Sequence, residues 1–206
     1  MDRIKQEDFS LEKLRAGDKA EFARLVETYS GVVYRLAIKM VEDPQDAEDV
    51  LQETFIKAFR GLSRFGGRSS LSTWLYRIAT NESLMLLRRR KPATVSIDEP
   101  LETADSEQEP RQIVDFCCMP EEELMSVEAR AYMDNAVETL PPSLRAVFLL
   151  RDIEGLSTLE TAEALNLSEM AVKTRLSRAR MRLRELLSEY YGERMARQQS
   201  MEGESA

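Results

Sequence analysis

Residues 155–187, GLSTLETAEALNLSEMAVKTRLSRARMRLRELL, constrain what this chain can fold into more than any other stretch. Ser157 followed by Glu160 has the spacing of a capping box, in which hydroxyl and carboxylate satisfy each other's free backbone amides. A short helix is therefore predicted from there to about Leu165. Asn166-Leu167-Ser168 supplies a turn and a second N-cap, after which Met170, Val172, Leu176, Ala179, Leu183 and Leu187 recur at three- and four-residue steps. That is the apolar stripe of a long amphipathic helix. Its other faces carry Lys173, Arg175, Arg178, Arg180, Arg182 and Arg184, with no acid between Met170 and Glu185. A short helix, a tight turn and a basic helix with small polar residues near its start form the helix-turn-helix pattern, whose second helix enters the major groove. Arginines suit phosphates, and Thr174 and Ser177 are small enough for close approach to base edges.

The whole chain carries 206 residues and a net charge of −8, which runs against duplex binding. The basic residues must act locally, so the chain alone is expected to bind DNA poorly and to need a partner that presents it. Free, its two halves can fold on each other and hide the basic helix. The chain has no histidine, which excludes serine-histidine and cysteine-histidine catalysis and every histidine metal site. Cys117 and Cys118 are adjacent and lack zinc spacing, so a reduced cytosolic thiol pair is the simpler reading. No cofactor is expected. The charged N-terminus is unlike a signal peptide, and no apolar run reaches membrane-spanning length, which predicts a soluble cytoplasmic protein. Scarce glycine and plentiful leucine, alanine and glutamate, with no alternating stretch, predict an all-α protein.

Caps and periods place the remaining helices. Asp18 stands where it can cap a long helix carrying Phe22, Leu25, Val26, Tyr29, Val33, Leu36, Ala37 and Met40 at helical spacing. Asp43 with Pro44 at the first position starts the next, where Val50, Leu51, Phe55, Ala58, Phe59 and Leu62 are read as core. Asp46, Asp49, Gln52, Glu53 and Lys57 lie on or beside another face, read as solvated or as a partner-docking surface. After a polar loop at 66–70, residues 71–90 read as a helix with Trp74, Arg77, Asn81 and Arg88 on one side and a basic end. Stacking planes, an amide and cations are what a single-stranded nucleic acid surface needs. A core tryptophan is the competing reading of Trp74. Residues 95–120 are acidic, hold three prolines and show no helical period, the signature of a linker. Beyond it a helix through Val127, Ala131, Met133 or Asn135, Val137 and Leu140 is expected. Ser143 is expected to cap the next one through Leu144, Val147, Phe148 and Leu150 to Ile153, and the tail after residue 190 is expected to fray.

DAEDVLQETFIKAF, then STWLYRIATNE, then GLSTLETAEALNLSEMAVKTRLSRAR together resemble region two and region four of bacterial RNA polymerase sigma factors of the extracytoplasmic-function group. The resemblance implies two small helical domains, residues 10–92 and 124–190, joined by a flexible acidic linker at 93–123, with a polar tail at 191–206. It further implies a non-enzymatic initiation factor that binds core RNA polymerase and promoter DNA and is restrained by an anti-sigma factor. Asp49, Gln52 and Glu53 match the positions that dock on the polymerase. Arg68, Trp74, Arg77 and Asn81 match those that recognise and melt the minus-ten element, and Lys173, Thr174, Ser177 and Arg178 those that read the minus-thirty-five element. Promoter elements two duplex turns apart, roughly 70 Å at ~34 Å per turn, fit a linker of about 30 residues that reaches ~100 Å when extended. The alternatives are a stand-alone helix-turn-helix regulator with an N-terminal sensing domain, and an adaptor that uses the acidic helix without DNA.

Overall fold

The computed structural model describes residues 9–67, 69–90 and 127–204, and every structural statement below concerns these. Arg68, the linker with Cys117 and Cys118, and the expectations attached to them lie outside the described residues. Among the described residues all regular structure is helical: α1 (Leu11–Arg15), α2 (Lys19–Val41), α3 (Pro44–Gly61), α4 (Leu71–Arg90), α5 (Val127–Glu138), α6 (Pro142–Phe148), α7 (Thr158–Leu165) and α8 (Glu169–Glu204).

The helices start where the side chains that compete best for free amides stand. Asp18 accepts from Ala20 and Glu21, and Asp43 accepts from Asp46 with Pro44 in the first turn. The stop of α2 is made by Glu42 in the left-handed region (φ 67°), whose amide reaches back to the Ile38 carbonyl. The α6 start differs from expectation: Pro141, not Ser143, occupies the cap, and no side chain bonds to the free amides there. A proline at the first helical position removes one of those amides outright, so less capping is required. The tail also differs, since α8 continues to Glu204.

In the N-terminal half α2, α3 and α4 pack mutually around Leu25, Tyr29, Leu36, Met40, Val50 and Leu75, and Leu14 and Leu62 close one end. Phe59 is not core: it is 43 % exposed and only its edge meets Phe22, at 4.9 Å between ring centroids. In the C-terminal half Val147, Ala162, Val172 and Leu176 make a small core beneath the helix-turn-helix. The larger core is continuous between the halves, from Met40 and Leu75 to Leu140, Leu149, Leu150 and Leu156. In the described structure the two halves are therefore packed together, α4 lying against α7 and α2 against α5 and α6.

Candidate functional site

Three surfaces carry the residues singled out by sequence. The first is the outer face of α3. Helical spacing puts Asp49, Gln52, Glu53 and Ile56 along one ridge, and Asp49, Gln52 and Ile56 are exposed. With Glu82 and Met85 of α4 they line an open groove of about 500 Å³. Its lining mixes apolar side chains, Ile56 and Met85, with charged ones: Lys57 bridges Glu53 (3.5 Å) and the nearly buried Glu82 (2.6 Å). Asp46, one turn before Asp49, is buried and ion-paired with Arg90 near the end of α4. The acidic cluster thus divides into a buried, ion-paired carboxylate and a ridge in which Asp49 and Gln52 are exposed.

The second surface is α4 and the loop before it. Ser70 caps the helix, accepting from the Thr73 amide at 3.0 Å and meeting the hydroxyls of Ser72 and Thr73 at 2.8 and 2.7 Å. Gly67 takes φ +70°, a turn open to glycine, and Arg15 anchors the loop by donating to the Phe65 carbonyl at 3.0 Å. Arg77, Asn81 and Arg88 are exposed and, at four- and seven-residue steps, share one side of α4. Trp74 does not join them. It is 7 % exposed, its indole lies 5.0 Å from the Phe65 ring, and it covers Gly61 so closely that an added Cβ there would stand 3.1 Å from the indole. In this arrangement the indole packs in the interior beneath the loop and is not part of the exposed row. Spacing alone does not separate the two, since it ignores that Phe65 folds back over the helix start.

The third surface is the helix-turn-helix. The capping box forms as read: Glu160 N donates to Ser157 Oγ (3.1 Å), and Ser157 N to the Glu160 carboxylate (2.7 Å). Asn166 closes α7 in the left-handed region (φ 54°), and Ser168 Oγ accepts from Ala171 N at 3.1 Å to start α8. Lys173, Ser177 and Arg178 are exposed and contiguous, with Thr174 half-buried between them and donating its hydroxyl to the Met170 carbonyl at 3.0 Å. Met170 is 72 % exposed and leaves the predicted apolar stripe, whereas Val172, Leu176, Ala179 and Leu183 are buried. From Val172 onward the buried side is covered by α6 and α7, with α5 beside them.

Sequence reasoning grouped Arg180 with the available cations, but it is committed: Nε and Nη2 make two hydrogen bonds to Asp152, at 2.9 and 2.7 Å. The hydrogen bonds to that carboxylate hold its guanidinium more firmly protonated than usual. Asp152 stands in a π-helical turn, Leu149–Ile153, where the Glu154 amide bonds to the Leu149 carbonyl. No period in the sequence announces such a turn. The packing of the halves also differs from expectation, for it leaves Lys173, Ser177 and Arg178 of α8 exposed and instead sets the C-terminal half against Thr73 and Tyr76 of α4. Tyr76 donates to Glu154 (2.7 Å) and Thr73 approaches Glu160 (3.5 Å). Burial, then the hydrogen bond to Glu154, pushes the Tyr76 phenol well above its ordinary range.

Known proteins share both halves in the same order. The Sigma-70 region 2 family profile matches residues 25–92, and that of Sigma-70, region 4, matches residues 130–183. The ECF RNA polymerase sigma factor SigW of Bacillus subtilis is 34% identical over 177 residues, covering 86% of this chain and 94% of that one. The ECF RNA polymerase sigma-E factor of Escherichia coli is 35% identical over 173 residues, covering 82% and 88%. Among solved structures, CnrH in complex with the cytosolic domain of CnrY superposes with a TM-score of 0.60 at 27% identity, over 86% of this chain and 94% of that one. Two region profiles in order, with relatives matched over nearly their full length, place this chain in the extracytoplasmic-function group of RNA polymerase sigma factors, which are initiation factors and not enzymes.

Proposed function

We propose that the α3 ridge of Asp49, Gln52 and Glu53 docks on core RNA polymerase, and that α4 and α8 read the two promoter elements. The observation that carries this reading is the division of labour on one packed unit: α3 and α4 present a groove of mixed apolar and charged lining on one side and the Arg77–Asn81–Arg88 row on another. Such a groove suits a partner helix, whose apolar side meets Ile56 and Met85 while the charges set register. Exposed guanidinium and amide groups along α4 suit the phosphates and base edges of a melted strand. Arg68, in the loop before α4, belongs to this minus-ten set on the family resemblance. Trp74 serves it from beneath as a positioning residue.

On the second surface, Lys173 and Arg178 meet phosphates and orient α8, while Thr174 and Ser177 approach base edges of the minus-thirty-five element in the major groove. The protein performs no chemistry; it brings polymerase to promoters and helps to hold the opened strand. CnrH was solved with the cytosolic domain of CnrY and is similar over most of the chain, which supports an anti-sigma protein as the restraining partner here. Among the described residues no helix is long and apolar enough to cross a membrane. A cytoplasmic location follows from the proposed polymerase partner.

The test is co-purification of the chain with bacterial core polymerase, followed by run-off transcription on genomic promoter fragments. Binding and directed initiation are expected. Asp49→Lys with Gln52→Ala, both exposed and outside the core, should weaken polymerase binding at least tenfold without loss of helix content, and unchanged affinity would reject the ridge as the interface. A chain that ignores polymerase yet shifts duplex DNA alone would be a stand-alone regulator.

A further inference from the structure

A buried arginine joins the two halves. Arg145, on α6, is 4 % exposed, although arginine is among the residues least often buried. Its guanidinium donates to the carbonyls of Met40 (2.9 Å) and Lys39 (3.5 Å) at the end of α2, and pairs with Glu42, which closes that helix. On its own side it donates to the carbonyls of Leu140 (3.1 Å) and Glu138 at the end of α5. One cation therefore sits at the C-terminal ends of two helices from different halves, where carbonyls point outward and the helix dipoles are negative. Lys39 with Asp134 (2.8 Å), Tyr76 with Glu154 and Thr73 with Glu160 add polar contacts along the same seam.

This packed arrangement cannot serve both promoter elements at once. The start of α4 and the start of α8 are separated by α7, 8 residues long. A helix of that length spans about 12 Å, and adjacent helix axes lie about 8–10 Å apart. The two reading helices thus begin roughly 20 Å apart, against the roughly 70 Å that two duplex turns require. The seam has to part for the proposed function. It also sets two carboxylates, Glu154 and Glu160, against Tyr76 and Thr73 of α4, the helix proposed to receive phosphates.

We infer that Arg145 is the latch of a self-inhibited form, in which the C-terminal half is clamped to the end of α2 and the two reading helices are held too close together to span both elements. The latch is suited to reversal. When the halves part, Arg145 keeps the α5 carbonyls and regains water on the other side, so opening leaves no buried, unpaired charge. The exposed rows of α4 and α8 can then separate to the distance that the two elements require. The inference concerns the free chain and rests on the proposed promoter contacts only for its consequence, not for the seam itself.

The test is a distance measurement on the full chain by pulsed electron spin resonance. Spin labels are placed at Glu48→Cys on α3 and Glu163→Cys on α7, both exposed positions, in a background of Cys117→Ser and Cys118→Ser. The otherwise unaltered chain should give one narrow, short distance. Arg145→Ala and Glu42→Arg should each replace most of it by a broad, longer distribution. Glu42→Arg is the decisive variant, because it repels Arg145 across the seam while leaving the α5 carbonyls capped; circular dichroism should show its helix content unchanged. A latch of ordinary coupling strength would shift the ratio of open to closed molecules between about fivefold and a hundredfold. A narrow distance that survives Glu42→Arg, or a broad one in the unaltered chain, would overturn the inference. Neither result depends on polymerase or DNA, so either is distinct from failure of the functional reading.

Discussion

Replacing Trp74 by alanine separates two roles that the sequence alone leaves open. The indole fills the space between Phe65, at 5.0 Å, and the backbone at Gly61, and it is 7 % exposed. A buried tryptophan truncated to alanine loses its transfer free energy and leaves a cavity that the helices fill only in part, a cost of about 3–5 kcal/mol. A typical domain has about 5–15 kcal/mol in all, so the loss would leave the N-terminal half close to its threshold. Urea unfolding followed by far-ultraviolet circular dichroism should show a lower midpoint at an unchanged slope. Trp74→Phe should recover most of the difference by keeping a ring against Phe65. Because Trp74 is the single tryptophan of the chain, its fluorescence also reports directly on burial, and a blue-shifted emission insensitive to aqueous quenchers is expected. If Trp74→Ala cost under about 1 kcal/mol yet abolished binding of a single-stranded minus-ten oligonucleotide, the indole would be a stacking surface and not interior support.

Two other expectations are simpler. Lys173→Ala with Arg178→Ala should reduce the slope of log affinity against log salt, for promoter DNA bound by the polymerase complex, by about 0.9 for each phosphate no longer neutralised; titration at several salt concentrations checks this, and an unchanged slope removes α8 from the phosphate backbone. Ser157→Ala should destabilise the C-terminal half by about 1 kcal/mol, because it strips the hydroxyl that the Glu160 amide reaches at 3.1 Å. Amide hydrogen exchange along α7 would show whether that loss falls at the start of the helix, as a cap requires.

Local chemistry was legible in the sequence at most places where a single side chain settles a single backbone group, Ser143 being the exception. Asp18, Asp43, Ser157, Glu160 and Ser168 all cap the helices they were expected to cap. Periodicity was legible too, but it identifies a face and not what covers it. Thr73, Thr80 and Ser83 are buried on α4 because that helix is covered by the N-terminal bundle on one side and α7 on another. Phe59 and Met170 keep the helical spacing of core residues and stand exposed, although the Phe59 ring meets Phe22 of α2. Arg145 was invisible for the same reason in reverse: its partners at Met40 and Glu42 are far away in the chain, and a lone arginine on a short helix reads as solvated. Of the candidate site, the exposed members Asp49, Gln52, Arg77, Asn81, Lys173, Ser177 and Arg178 stand where spacing placed them. Trp74 does not, because a loop of distant backbone decides its surroundings.

The π-helical turn at Leu149–Ile153 has a consequence for how this segment tolerates change in length. Each residue of a helix advances the chain by ~100° around the axis, and a π turn takes in one residue more than an α turn. Deleting any single residue there would restore the narrower turn and swing the downstream chain by that angle. Asp152 would then face away from Arg180, and Gly155, whose φ of +70° turns the chain toward α7, would arrive out of phase with the helix before the turn. Substitutions along the turn can be absorbed one side chain at a time, but its residue count is fixed by geometry, so insertions and deletions should be confined to the loops on either side of the two halves.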